Sequence, residues 1–85
     1  MPLIEEIKLK LQVLNPSHLE LQDESAMHAG HKGNNGGGHF RLIIKSQSFN
    51  NLSAILRHRL IYQLLDGYIP SKIHALSIDA IAENE

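Results

Sequence analysis

Apolar residues recur at Ile4, Ile7, Leu11 and Leu14, with Leu3 widening the stripe and Lys8, Lys10 and Gln12 largely outside it. This spacing predicts an amphipathic helix. Pro2 suits its first turn, Glu5 and Glu6 favour the positive end of its dipole, and Asn15-Pro16 ends it near Leu14, since a residue before proline avoids the α region. The pattern then changes period. His18 to Glu24 alternates apolar with polar and reads as a half-exposed strand. Phe40, Leu42 and Ile44 alternate with Arg41, Ile43 and Lys45 in a second strand. Ser46 to Asn51 is a turn-rich link with one apolar anchor, Phe49. Ser53 is a candidate N-cap for a second helix through Ile55, Leu56, Leu60, Leu64 and Leu65, ending before Gly67. Ile73 to Ala80 reads as a third strand, on which His74 shares a face with Leu76 and Ile78. The last residues, 81–85, read as a frayed end.

The order of elements constrains the topology. Two strands close in sequence predict an antiparallel hairpin, and the long crossover through the second helix predicts a third strand parallel to a neighbour, with a right-handed connection. The expected fold is α+β, in αββαβ order, with a small three-stranded mixed sheet and the helices packed on one face. Eighty-five residues suit a single domain over 1–85. The hairpin connection is far longer than the usual loop of about two to five residues, and its glycines predict mobility over 26–38.

Composition narrows the function. The formal net charge is −1 and the pI about 6.6, whereas a dedicated nucleic-acid binder is usually basic. The chain has no cysteine, hence no disulfide and no thiolate ligand of its own, which suits a reducing, cytoplasmic setting. No apolar run approaches the ~18–20 residues of a membrane span, and the amino terminus lacks the features of a signal peptide. The expectation is a monomer with no membrane association.

Six histidines remain to be explained. His28 and His31 lie in the loop, which ends at His39 and holds five of the six glycines. Such a loop is either a solvated hairpin tip or a source of neutral imidazole ligands. His28 and His31 are three apart, but no cysteine or paired acid completes a zinc motif, and Asp23 and Glu24 read as surface charges. His74 reads as a satisfied core or edge residue, or as a ligand if the loop folds back toward the third strand. Arg57-His58-Arg59 is either a solvated helix face or a patch for an acidic partner or a phosphate backbone. Gly30-His31-Lys32-Gly33 matches a backbone-clamping GxxG, but the match lies in a strand–strand loop and Gly33-Asn34-Asn35-Gly36 matches equally. No serine has an elbow or adjacent base, and there is no P-loop or dinucleotide fingerprint. The sequence carries no catalytic constellation.

Taken in order, Leu14-Asn15-Pro16, Asp23-Glu24-Ser25 before a histidine loop, His39-Phe40-Arg41-Leu42, Arg57-His58-Arg59-Leu60-Ile61-Tyr62 and Ile73-His74-Ala75-Leu76 resemble the BolA family, from about Ile4 to Ala80. The resemblance implies a fold like a type II KH domain. It also implies a non-enzymatic adaptor that binds a monothiol glutaredoxin and shares a [2Fe–2S] cluster, in iron–sulfur trafficking or iron regulation. Its ligands would fall on His28 and His74, with His31 as an alternative in the loop, while the glutaredoxin cysteine and glutathione supply thiolates. Ligation of one iron by two imidazoles resembles a Rieske centre. Some members of the family regulate transcription, so a DNA-binding regulator using Arg57, His58 and Arg59 is the rival expectation, with weak, electrostatic binding. Asn51 stands where the family often has glycine, and asparagine tolerates the left-handed geometry such a turn needs.

Overall fold

A computed structural model of the chain describes residues 3–24, 38–69 and 71–85. Helix α1 spans Leu3–Leu11 and tightens into a 3₁₀ turn over Gln12–Leu14. Asn15 stops it in the left-handed region (φ 49°), its N–H donating to the Gln12 carbonyl. The expected end near Leu14 therefore holds, with the last turn overwound. Strands β1 (His18–Asp23) and β2 (Gly38–Ser46) pair antiparallel, from His18 opposite Lys45 to Asp23 opposite Phe40. Helix α2 covers Ala54–Leu64, and the Ser53 hydroxyl accepts from the Leu56 N–H at 3.3 Å, the expected N-cap. Strand β3 (Ile73–Ala82) pairs parallel to β2, which is the central strand of the sheet. The fold is the small α+β arrangement with a three-stranded mixed sheet that the sequence predicts.

Alternation along β2 builds the core. Phe40, Leu42 and Ile44 are buried, and they cluster with Ile7 and Leu11 of α1 and with Ile61 and Leu65 at the end of α2. Both helices thus cover one face of the sheet. Phe49, the anchor of the link after β2, is fully buried. Ser46 is buried as well, and its hydroxyl donates to the Leu14 carbonyl (2.6 Å) while accepting from the Ser48 N–H (3.0 Å). A buried hydroxyl satisfied on both sides ties the end of α1 to the end of β2. Asn51 has φ 65°, the left-handed geometry expected of it.

Two expectations change, and a third is not reached by the described residues. Ile55 and Leu56, the start of the expected stripe of α2, are exposed, while Leu60, Leu64 and Leu65 pack inward as expected and Ile61 joins them. The chain does not fray over 81–85: β3 runs through Ala82, which is fully buried, and the side chains of Glu83 and Glu85 accept from Ser17 and Arg57. The mobile loop expected over 26–38 lies outside the described residues except for Gly38, which opens β2.

Gly38 is required by its neighbour. A Cβ there would stand 2.2 Å from Cε2 and 2.8 Å from Cζ of Phe40, a ring that is itself buried and cannot swing away. We predict that Gly38→Ala destabilises the chain by about 1–3 kcal/mol through overpacking. Denaturant titration should show a lower midpoint with unchanged slope; a midpoint equal to that of the parent would mean the ring has room to move.

Candidate metal centre

The pairing of β2 with β3 contains one irregularity, and it lies at His74. Gly38 is opposite Ile73, but the next residue of β2, His39, is opposite Ala75. His74 is the extra residue of a bulge. The reason is visible in the burial pattern: Ile73 is fully buried, while Leu76 and Ile78 also pack against the core. Strict alternation cannot point residues 73, 76 and 78 the same way, and one inserted residue resolves the conflict. The expectation that His74 shares the inward face with Leu76 and Ile78 is therefore corrected. His74 is exposed.

The bulge brings His74 to His39, with ring centres 5.2 Å apart and planes tilted by 44°. His39 sits on the sheet face opposite Phe40, with its Nε2 buried. The surrounding backbone is well anchored. The Gly38 N–H donates to the Lys72 carbonyl (3.2 Å), and the N–H groups of Lys72 and Ile73 both donate to the Tyr68 carbonyl at 2.8 Å. The Lys72 ammonium stands 5.2 Å from the centre of the Tyr68 ring, and the Tyr68 hydroxyl donates to Glu6 at 3.3 Å. Partial burial, and then the Glu6 carboxylate, raise the Tyr68 phenol above its ordinary range, so the hydroxyl stays a donor.

Of the predicted ligands, the structure places His74 at this bulge, while His28 and His31 lie outside the described residues. In the sequence His39 stands only as the border of the loop. Its alternation with Phe40 already put it on the outer face, but its neighbour His74 depends on the pairing of strands distant in sequence. Among the described residues no group of three or more histidine, cysteine or acidic side chains is placed to hold a metal. The described site is a pair of imidazoles.

The predicted patch on α2 divides. Arg57 is spent inside the fold: its Nε donates to the Leu52 carbonyl and its Nη1 to the Ala80 carbonyl, both at 2.9 Å, and Nη2 pairs with Glu85. Only 13% of its side chain is exposed. The hydrogen bond from Arg57 holds the Glu85 carboxyl below its ordinary range. Arg59 is exposed and lines a shallow depression of about 390 Å³ with Tyr62, Gln63 and Asp66, and none of the described histidines lines it. His58 is half-buried. The three residues do not form one basic surface, because Arg57 is a structural tie between α2 and β3.

Comparison with known proteins places this arrangement among relatives. The sequence model of the family described as BolA-like protein matches residues 11–85. The SufE-like protein 1 of Arabidopsis thaliana, chloroplastic/mitochondrial, is 47% identical over 73 residues, which cover 79% of this chain and 20% of that protein. The chain thus spans a small part of that relative's length. The solved BolA domain of SufE1 from Arabidopsis thaliana superposes with a TM-score of 0.81 at 44% identity, covering 94% of this chain and 91% of that one. The DNA-binding transcriptional regulator BolA of Haemophilus influenzae is 34% identical over 80 residues, covering 93% of this chain and 76% of that protein.

The two arginines should separate on mutation. Arg57→Ala removes hydrogen bonds from a charged donor to two carbonyls and a carboxylate, and should destabilise by about 1.5–3 kcal/mol, while Arg59→Ala stays within ~0.5 kcal/mol. Because the folded state lowers the Glu85 carboxyl, its share of the tie is fully present above the ordinary carboxylate range. That share is lost as the pH falls through the lowered value. Thermal unfolding of both variants at neutral pH checks this, and equal loss from each would return Arg57 to the surface patch.

Proposed function

The chain belongs to the BolA-like family, and from that premise we propose that it is a non-enzymatic adaptor. It would bind a monothiol glutaredoxin through a shared [2Fe–2S] cluster and act in iron–sulfur trafficking or in iron and redox regulation in the cytoplasm. The observation that carries this reading is the exposed His74 imidazole, turned out of the core by a bulge and anchored from both sides.

The donor set fits half of such a cluster. With no cysteine in the chain, its soft or borderline ligands are limited to imidazoles and the thioethers of two methionines. His74 would supply one nitrogen and a loop histidine the second, His28 by the family resemblance and His31 as the alternative. The thiolates for the other iron would come from the glutaredoxin cysteine and glutathione. When bound, a centre with two imidazoles on one iron has a higher reduction potential than an all-thiolate cluster. The chain's own part is to hold His74 at the surface in a fixed direction, and both the Gly38–Lys72 contact and the Tyr68 anchor serve that.

The rival reading, a DNA-binding regulator, is favoured by one observation, the name of the Haemophilus relative. The patch that would carry it here lacks Arg57, whose guanidinium is engaged within the fold. DNA binding by this chain should therefore be weak and fall steeply as salt rises.

Reconstitution with a monothiol glutaredoxin and glutathione, read by visible absorption, tests the adaptor reading. The complex should hold a cluster that the chain alone does not. His74→Ala and His28→Ala should each alter its spectrum, and His31→Ala should do less. An unchanged spectrum in both His74→Ala and His28→Ala would refute the ligand assignment. Sequence-selective nanomolar DNA affinity at physiological salt would favour the regulator instead.

A further inference from the structure

We propose that His39 and His74 form a site for one borderline divalent cation, of the Zn²⁺ group, in the chain on its own. Occupancy of that site excludes the cluster-bridged partner, because both need the His74 imidazole. The cation site stands independently of the proposed function; the exclusion rests on it.

Geometry carries the argument. Two imidazoles bound to one tetrahedral ion through bonds of ~2.0–2.1 Å have ring centres about 5 Å apart. The rings of His39 and His74 are 5.2 Å apart before any ion is considered. Their 44° tilt is compatible with ligation, since each ring can turn about its own metal–nitrogen axis. The backbone that carries the pair is also held in place. His39 lies in a strand bonded on both sides, and His74 follows the segment that Tyr68 and Gly38 hold in place. Binding an ion there requires little ordering of backbone, the main entropic obstacle to a site made from loops.

The chemistry selects the class of ion. Imidazole nitrogens suit Zn²⁺, Ni²⁺ and Cu²⁺, whereas Mg²⁺ and Ca²⁺ want oxygen. No third histidine, cysteine or acidic ligand joins the pair among the described residues, and in the proposed site water fills the remaining positions. That makes the ion exchangeable, unlike a structural zinc held by four protein ligands. His74 is exposed, which gives the ion a route in.

Titration of Zn²⁺ into the isolated chain, followed by calorimetry and by the imidazole ring signals in NMR, tests the site. One ion per chain should bind, with shifts at His39 and His74. Binding should survive in the double variant His28→Ala/His31→Ala. It should weaken in His74→Ala and in His39→Asn by more than the ~10–100-fold that loss of an outer-shell partner costs. His74 is exposed, so its variant keeps the test interpretable even if His39→Asn perturbs the sheet. Binding that persists in His74→Ala, or that vanishes with the loop histidines, overturns the site. For the exclusion, chain loaded with Zn²⁺ and chain free of it are offered to a reconstituted glutaredoxin cluster. Loading should suppress complex formation, and His39→Asn should relieve the suppression. Equal yield from both preparations overturns the exclusion. If the site is found but no cluster-bridged complex forms under any condition, the adaptor reading fails while the cation site stands.

Discussion

The inner face of β2 is the constraint on which the rest of this fold depends. Phe40, Leu42 and Ile44 must be buried together, and they are the residues that both helices cover. A slip of one residue in the central strand would turn all three to solvent and bring Arg41 and Lys45 inward, so its register is strongly specified. That register in turn fixes which residues face outward, among them His39. It also fixes what β3 must do. Ile73 must be inward where the strand begins, and Leu76 and Ile78 must be inward further along. The bulge at His74 is the solution, so the site's exposed imidazole is a by-product of core packing.

Local and medium-range features were readable from the chain. The stripe of α1, the alternation of β2, the Ser53 cap and the left-handed Asn51 each depend on residues near one another in sequence, and each appears where the pattern puts it. The features that were not readable depend on distant partners. The face of His74 depends on where β3 meets β2. Arg57 has the sequence context of a solvated charge, but its guanidinium reaches the carbonyl of Ala80 and the carboxylate of Glu85. The carboxyl end looks frayed by composition, yet β3 and its side-chain ties continue almost to the last residue. Ile55 and Leu56 extend the apolar pattern of α2 without joining the core, because Ile61 and Leu65 are the fully buried residues of that segment.

The parallel pairing of β2 and β3 explains why the histidines meet. In an antiparallel pair the start of one strand lies beside the end of the other, and His39 would face the carboxyl end of β3. The crossover through α2 returns the chain so that both strands start at the same edge, where the hairpin loop also enters β2. The starting ends of both strands therefore converge there, which is why the N–H of Gly38, first in β2, reaches the carbonyl of Lys72, just before β3. A topology that needs a helical crossover thus gathers, at one end of the sheet, side chains that sequence alone keeps far apart.

Among the described residues the two imidazoles have no third protein ligand beside them, an incomplete coordination shell of the kind that the proposed adaptor role would use. A site with four ligands of its own would hold its metal permanently and leave no position for a partner. A site with thiolates could bind soft metal without help. This chain has no thiol, and its described donors stop at two nitrogens. In the two proposals the rest of the shell differs: water for a lone cation on His39 and His74, or a loop histidine of this chain and another molecule's thiolates for a cluster. These two ways of finishing one shell are mutually exclusive at His74. The two outcomes would then be set by the relative supply of free cation and thiolate-bearing partner, with no change of fold needed to move between them.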